Sequence, residues 1–354
     1  MEKKSTTPNP IRIIKTVLLF LWVPLFLFSA VLWMHNDIES IPIAQHITLS
    51  VSPDIPKEND RSPAMSSDEF EIVPLKGMTI ILDAGHGGKD PGCVSRTSPK
   101  IYESDINLAV VMATKDALEA QGATVILTRE DDSWLGIYSR AAITNLYCLN
   151  YAREYGYPSI DADLEATLTE EFNDVLSINT DSVLSGGMGP MVGTGFSDEM
   201  QALLAMEYDL PNIIFISIHT NTSSSSRPHG TQVYYVTDDS IIRSEKNMVR
   251  TRSEYRLPQS PQRDPYYGRD GETNAFLATL LHDAIVSEEP RLATNQQDTV
   301  TDNFCVLREH GIPSAMIELG YISNADDRAL LTDPEVQESI ALGISNAVIA
   351  FYQN

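Results

Sequence analysis

The sequence predicts an α/β fold: a central, mainly parallel β-sheet flanked by helices, preceded by an N-terminal membrane segment. Three observations carry this. Short apolar runs alternate with stretches of helical periodicity. Polar, ionisable residues stand where the apolar runs stop. A long uncharged apolar stretch lies close to the N-terminus.

The elements are read in chain order. Met78–Leu82 is an apolar run that stops at Asp83-Ala-Gly-His-Gly-Gly88, the pattern of a buried strand ending in a glycine loop. Asn107–Gln121 places Leu108, Val111, Met112, Lys115 and Leu118 at helical spacing and ends before Gly122. Thr124–Thr128 is a second strand, and further strand-like runs occupy Ile213–Ile218, Thr231–Val236, Phe304–Leu307 and Ala315–Leu319. Helices are expected over Thr273–Val286 and Pro334–Tyr352, the latter with Asp333 as N-cap and Pro334 at its first position.

Composition narrows the function classes. The 354 residues are 42% hydrophobic and 21% charged, a globular balance. Lys+Arg 25 against Asp+Glu 49 gives a net charge of -24, which repels phosphate backbones, so nucleic acid is not an expected partner. The basic residues Lys3, Lys4, Arg12 and Lys15 precede an uncharged run from Thr16 to Met34, long enough to cross a bilayer with the cations left inside. Residues 1–34 therefore read as an anchor or export signal. Phe28-Ser29-Ala30 offers a small-residue cleavage site, but the apolar run continues through Val31, Leu32 and Trp33, which favours an uncleaved anchor. Residues 35–75, with Pro42, Pro53, Pro56, Pro63 and Pro74 among Ser, Asp and Glu, read as an extended linker. Residues 76–353 then read as the folded domain.

Between Asn145 and Pro211 the strand–helix rhythm breaks for longer than an ordinary connection, so 146–211 reads as an insert. It is acidic, with Arg153 nearly alone against residues such as Glu165, Glu170, Glu171 and Asp174. Its glycine-rich stretch Gly186–Gly195 lacks the Gly-Lys-Ser/Thr ending of a phosphate loop and reads as a hinge or lid. Cys93, Cys148 and Cys305 are far apart and form no CxxC pair, so unpaired and mostly buried thiols are expected, with a Cys148–Cys305 bridge as the alternative.

Four ionisable residues sit where strands or helices begin or end: His86, Glu103, His219 and Glu318. Two imidazoles and one carboxylate form the three-ligand set that holds zinc with a fourth position open to water, and a second carboxylate then serves as the base. Residue types alone leave open which glutamate binds the metal. His35, His46, His282 and His310 lack this setting and read as surface or structural residues, with His229 intermediate.

The motifs Ile81-Leu-Asp-Ala-Gly-His-Gly-Gly-Lys-Asp-Pro-Gly92, Glu103-Ser-Asp-Ile-Asn-Leu108, Thr128-Arg129, Ser217-Ile-His-Thr-Asn221 and Ile317-Glu-Leu-Gly-Tyr-Ile-Ser-Asn324 resemble the zinc-dependent N-acetylmuramoyl-L-alanine amidases of bacterial cell walls. The resemblance covers about residues 76 to 353 and keeps the family's motif order. It implies one Zn2+ per chain on His86, Glu103 and His219, with Glu318 as the catalytic glutamate. The implied substrate is peptidoglycan, cut at the amide between N-acetylmuramic acid and the L-alanine of the stem peptide, in wall remodelling or in the spore cortex and germination. Asp83 either orients a histidine or hydrogen-bonds the glycine loop, and Arg308 is either a contact for a substrate carboxylate or a surface charge. Some regulated members of the family carry a helix that blocks the zinc site, so the insert resembles an autoinhibitory element or a seat for an activator protein. The implied location is the cell envelope, with the catalytic domain outside the cytoplasm. Rival readings are another zinc amide hydrolase, a peptidase or deacetylase, and a catalytically silent wall-binding regulator.

Overall fold

The computed structural model describes residues 73–179, 189–191, 195–251, 263 and 265–354. The apolar run 16–34, nearly all of the linker and most of the glycine stretch 186–195 lie outside the described residues. No described helix is long and apolar enough to cross a membrane.

Six strands form one sheet: β1 (Thr79–Ala84), β2 (Thr124–Leu127), β3 (Ile213–Asn221), β4 (Gln232–Tyr235), β5 (Thr299–Thr301) and β6 (Ser314–Tyr321). Their order is β2-β1-β3-β6-β4-β5. All neighbours run parallel except β4 and β6, which pair antiparallel, so the sheet is mixed with a parallel majority. Every residue of β1 is buried and β3 is buried from Ile213 to Ile218, as continuous apolar strands covered on both faces must be. The edge strands β2 and β5 are short and half-exposed.

The helices are α1 (Glu103–Ala120), α2 (Ile137–Tyr155), α3 (Ala162–Asn179), α4 (Asp198–Tyr208), α5 (Asp238–Thr251), α6 (Gly271–Glu288), α7 (Cys305–Arg308), α8 (Ala325–Leu331) and α9 (Pro334–Gln353). Because side chains alternate across a strand, β1 sends Ile80, Leu82 and Ala84 to one face and Ile81 and Asp83 to the other. The first face packs on α1, α6 and α9 through Val110, Leu118, Leu281, Ile285, Ile340 and Ile344. The second packs on α2, α3 and α4 through Leu149, Phe172, Met200 and Leu203. The acidic segment 146–211 thus continues α2, adds two more helices and supplies part of the second core, while most of its charges stay on the outside and Glu207 is buried.

Most expected elements lie within a few residues of their predicted bounds, and Asp333 caps α9 through a hydrogen bond from the Glu335 amide. One expectation is overturned. Phe304–Leu307 is not a strand: Cys305–Arg308 is a single helical turn with all four residues buried. A four-residue apolar run carries too little periodicity to separate the two conformations, and enclosure on all sides satisfies either. Cys93, Cys148 and Cys305 are free thiols, the latter two buried, so the alternative bridge is absent.

Candidate active site and metal centre

Three residues distant in sequence converge at the C-terminal ends of the parallel strands. His86 follows β1, Glu103 opens α1, and His219 lies within β3, which runs on to Asn221 rather than stopping before it. Glu103 Oε1 is 3.2 Å from His86 Nε2 and 3.0 Å from His219 Nδ1, and the three donor atoms all lie within 4.8 Å of one another. They form the one such donor group among the described residues.

Local structure explains the convergence. His86 takes a φ of 62°, in the left-handed region that side chains other than glycine seldom enter. Its Nδ1 lies 2.7 Å from Asp90 Oδ2, and Asp90 Oδ1 accepts the Gly92 amide at 3.1 Å. Glu103 is buried, and its Oε2 accepts the Cys93 amide at 2.7 Å while Oε1 accepts the Thr220 amide at 3.1 Å. Two glycines leave the necessary room. A Cβ on Gly85 would stand 2.3 Å from His219 Cε1, and one on Gly92, at φ +65°, would stand 2.6 Å from Glu103 Oε2.

Glu318 lies in β6, opposite His219 in the β3–β6 pairing and opposite Gln232 in the pairing with β4. Its Oε2 is closed to solvent and has no hydrogen-bond partner among the described residues. Burial, and after it the charge of Glu103, push the Glu318 carboxyl well above the usual carboxylate range, against the pull of His86. Burial also opposes charge on Glu103 and His86, but their mutual contacts win. The two imidazoles hold Glu103 well below its ordinary value, and Glu103 with Asp90 raises His86 to about 9.

This arrangement fits a metal ion on three counts. The donor set is two imidazole nitrogens and a carboxylate oxygen, which suits zinc. In a tetrahedral site with bonds of ~2.0–2.1 Å, neighbouring donors lie about 3.3 Å apart, close to both nitrogen–oxygen separations. Finally, the bare Oε2 of Glu318 points to chemistry beyond the protein's own hydrogen bonds.

The two remaining candidates occupy other positions. Asp83 is fully buried, and its carboxylate accepts from Thr128 Oγ1 at 2.6 Å, Ser217 Oγ at 2.7 Å and Arg140 Nη1 at 2.6 Å. It thus bonds neither a histidine nor the loop amides directly. Arg308 is not a surface charge: it is buried and pairs with Glu245 at 3.1 Å and Glu309 at 3.0 Å. Of the other described histidines, His310 is buried against Phe215 and His282 sits beside Asp283. The sequence reading assigned no role to Asp90, Thr220, Arg129 or Arg140. Arg129 carried a signal, since it follows a strand parallel to β1 and so ends beside the glycine loop.

The model of the N-acetylmuramoyl-L-alanine amidase family matches residues 80–151 and 161–350, well over half of the chain and all four site residues. The chain belongs to that family. As a member it is a hydrolase of the peptidoglycan amide bond. It is similar to an uncharacterized protein of Bacillus subtilis, YqiI, at 24% identity over 279 residues, covering 79% of this chain and 87% of the relative. It is also similar to the probable cell wall amidase LytH of Staphylococcus aureus, at 23% identity over 74% of this chain and 54% of the relative, so it spans about half the length of LytH. Among solved structures, an N-acetylmuramoyl-L-alanine amidase from Clostridium difficile 630 aligns with a TM-score of 0.48 and 19% identity, over 78% of this chain and 97% of that one.

Proposed function

We propose that this amidase is zinc-dependent, that His86, Glu103 and His219 hold one Zn2+, and that Glu318 is its catalytic base. The observation that carries this reading is the meeting of three donor atoms beside an unpartnered carboxylate oxygen on the neighbouring strand. When bound, the metal supplies Lewis acidity toward a water molecule and toward the scissile carbonyl. The remaining work falls to the chain. His86 Nδ1 is fixed by Asp90, which orients the ring and leaves Nε2 facing the donor group. Glu103 is held by two backbone amides in a single orientation. Glu318, its Oε2 free of any hydrogen-bond partner among the described residues, accepts a proton from the attacking water and returns it to the departing amine. The carbon–nitrogen bond breaks, leaving the lactyl carboxylate on muramic acid and a free amino group on L-alanine.

Residues 1–34 are proposed to tether the protein to the membrane and 35–75 to hold residues 76–353 at the wall. The cationic flank and the uncharged run 16–34 support this. The acidic outer surface of 146–211 is proposed as the seat of an activator, on the strength of its lopsided charge.

Purified peptidoglycan incubated with native, chelated and zinc-restored protein tests the reading. Zinc-dependent release of stem peptides bearing free L-alanine amino termini supports it. Undiminished release by fully chelated protein overturns the metal, and cleavage at another bond overturns the substrate.

A further inference from the structure

The loop that carries His86 is gripped from below by two buried guanidinium groups. Arg129, at the end of β2, donates to the carbonyl oxygens of Ala84 at 2.8 Å and Gly85 at 3.0 Å, as well as to Ser104 at 3.1 Å and Asp131 at 2.7 Å. Arg140, in the first turn of α2, donates through Nη1 to Asp83 and to the Ala84 carbonyl, both at 2.6 Å. Through Nη2 it donates to the His86 carbonyl at 2.7 Å and to that of Leu135 at 3.2 Å. The carbonyls of three consecutive residues, Ala84, Gly85 and His86, are thus all held by arginine.

We infer that Arg140, anchored by Asp83, is a positioning residue for the metal ligand His86. The inference rests on the reading that His86 binds zinc. His86 is the one described residue other than glycine with a positive φ, and such a conformation persists only where its surroundings over-determine it. Its imidazole is fixed at Nδ1 by Asp90. Arg140 fixes the other end, because the bond to the His86 carbonyl sets the plane of the peptide leaving that residue. Two like charges side by side in the interior require a counter-charge, and fully buried Asp83 supplies it. Burial alone would raise the Asp83 pKa, but Arg140, with Thr128 and Ser217, lowers it to about 2. Only a planar fork can serve Asp83, Ala84 and His86 together. A lysine keeps the charge but presents three donors from one point, and cannot span them.

The test uses the full chain and two readouts: the zinc dissociation constant, by competition with a chromophoric chelator, and the unfolding midpoint of the metal-free protein. Arg140→Lys is expected to weaken zinc binding by about 10–100-fold, the range for partners that orient a ligand, in a protein that still unfolds cooperatively. Unchanged zinc affinity in Arg140→Lys, even with a lowered midpoint, makes the contact merely structural and overturns the inference. If Arg140→Lys does not fold, Asp83→Asn keeps both Arg140 and the shape of the side chain and is read in the same titration. Tenfold weaker zinc there supports the inference, and unchanged affinity overturns it. An unsubstituted chain that takes up no zinc overturns the parent reading, and this one with it. An unsubstituted chain that binds one zinc ion, beside variants that bind it equally well, overturns this inference alone.

Discussion

Glu318 stands directly opposite His219 in the parallel pairing of β3 with β6. The ladder thus places the proposed base and a proposed metal ligand side by side with no loop between them. Glu318→Gln preserves the shape and removes the basicity. Release of stem peptides is expected to fall by roughly 10²–10⁴-fold, while zinc content measured by atomic absorption stays at that of the parent protein. Loss of zinc in this variant would instead make Glu318 a ligand.

Gly85 lies against the His219 ring. Its φ is not positive, so alanine meets no backbone penalty there and the effect is steric. A Cβ 2.3 Å from His219 Cε1 forces the imidazole to move. Gly85→Ala is expected to bind zinc at least about tenfold more weakly with a nearly unchanged circular dichroism spectrum. Chelator competition checks the first and the far-ultraviolet spectrum of the folded variant the second.

These contacts mark how far the sequence could be read. The strands β1, β3 and β6 were legible because each is a long buried apolar run, and His86, His219 and Glu318 followed from where those runs end. The start of α1 was not legible. Its N-cap is Tyr102, which makes no side-chain cap, so nothing marked Glu103 as the first helical residue. The three-residue strand β5 and the single turn α7 are too short to show a period. The roles of Arg140 and Asp90 were not legible for a different reason. Their partners are fixed by the left-handed turn at His86, and a local pattern does not specify where such a turn aims its carbonyl.

Glu207 gives a pH prediction of opposite sign to the usual carboxylate. It is fully buried in α4, its Oε2 accepts the Gly311 amide at 2.6 Å, and its Oε1 has no hydrogen-bond partner among the described residues. Burial, opposed by the Gly311 amide and the Cys148 thiol, raises its pKa from 4.5 to about 8. Because the folded value exceeds the unfolded one, the stability linked to this proton is full below about pH 4.5 and is lost as pH rises through about 8. Glu207→Gln removes that dependence. Its stability relative to the parent should improve between pH 5 and 8.5 by on the order of 3 kcal/mol, measured by urea unfolding at both values. A constant difference would show that Glu207 does not titrate in this range.

The acidic segment is expected to be part of the fold rather than an appendage. In α3 the residues Leu168, Phe172 and Val175 recur at helical spacing and are buried, while Glu170 and Asp174 lie on the exposed side. Phe172 has no solvent exposure and belongs to the core that also holds Ile81 and Phe215 of the sheet. Phe172→Ala removes a large ring that its neighbours cannot fully replace, and should cost about 3–5 kcal/mol. Reversing the sign of Glu170, which is exposed, should move stability by less than about 0.5 kcal/mol. Denaturant unfolding of the two variants separates the roles. If Phe172→Ala unfolds at the parent's midpoint, α3 is detachable from the core. If it unfolds early while the Glu170 variant does not, the segment's inner face serves stability and its charged face is free for another task.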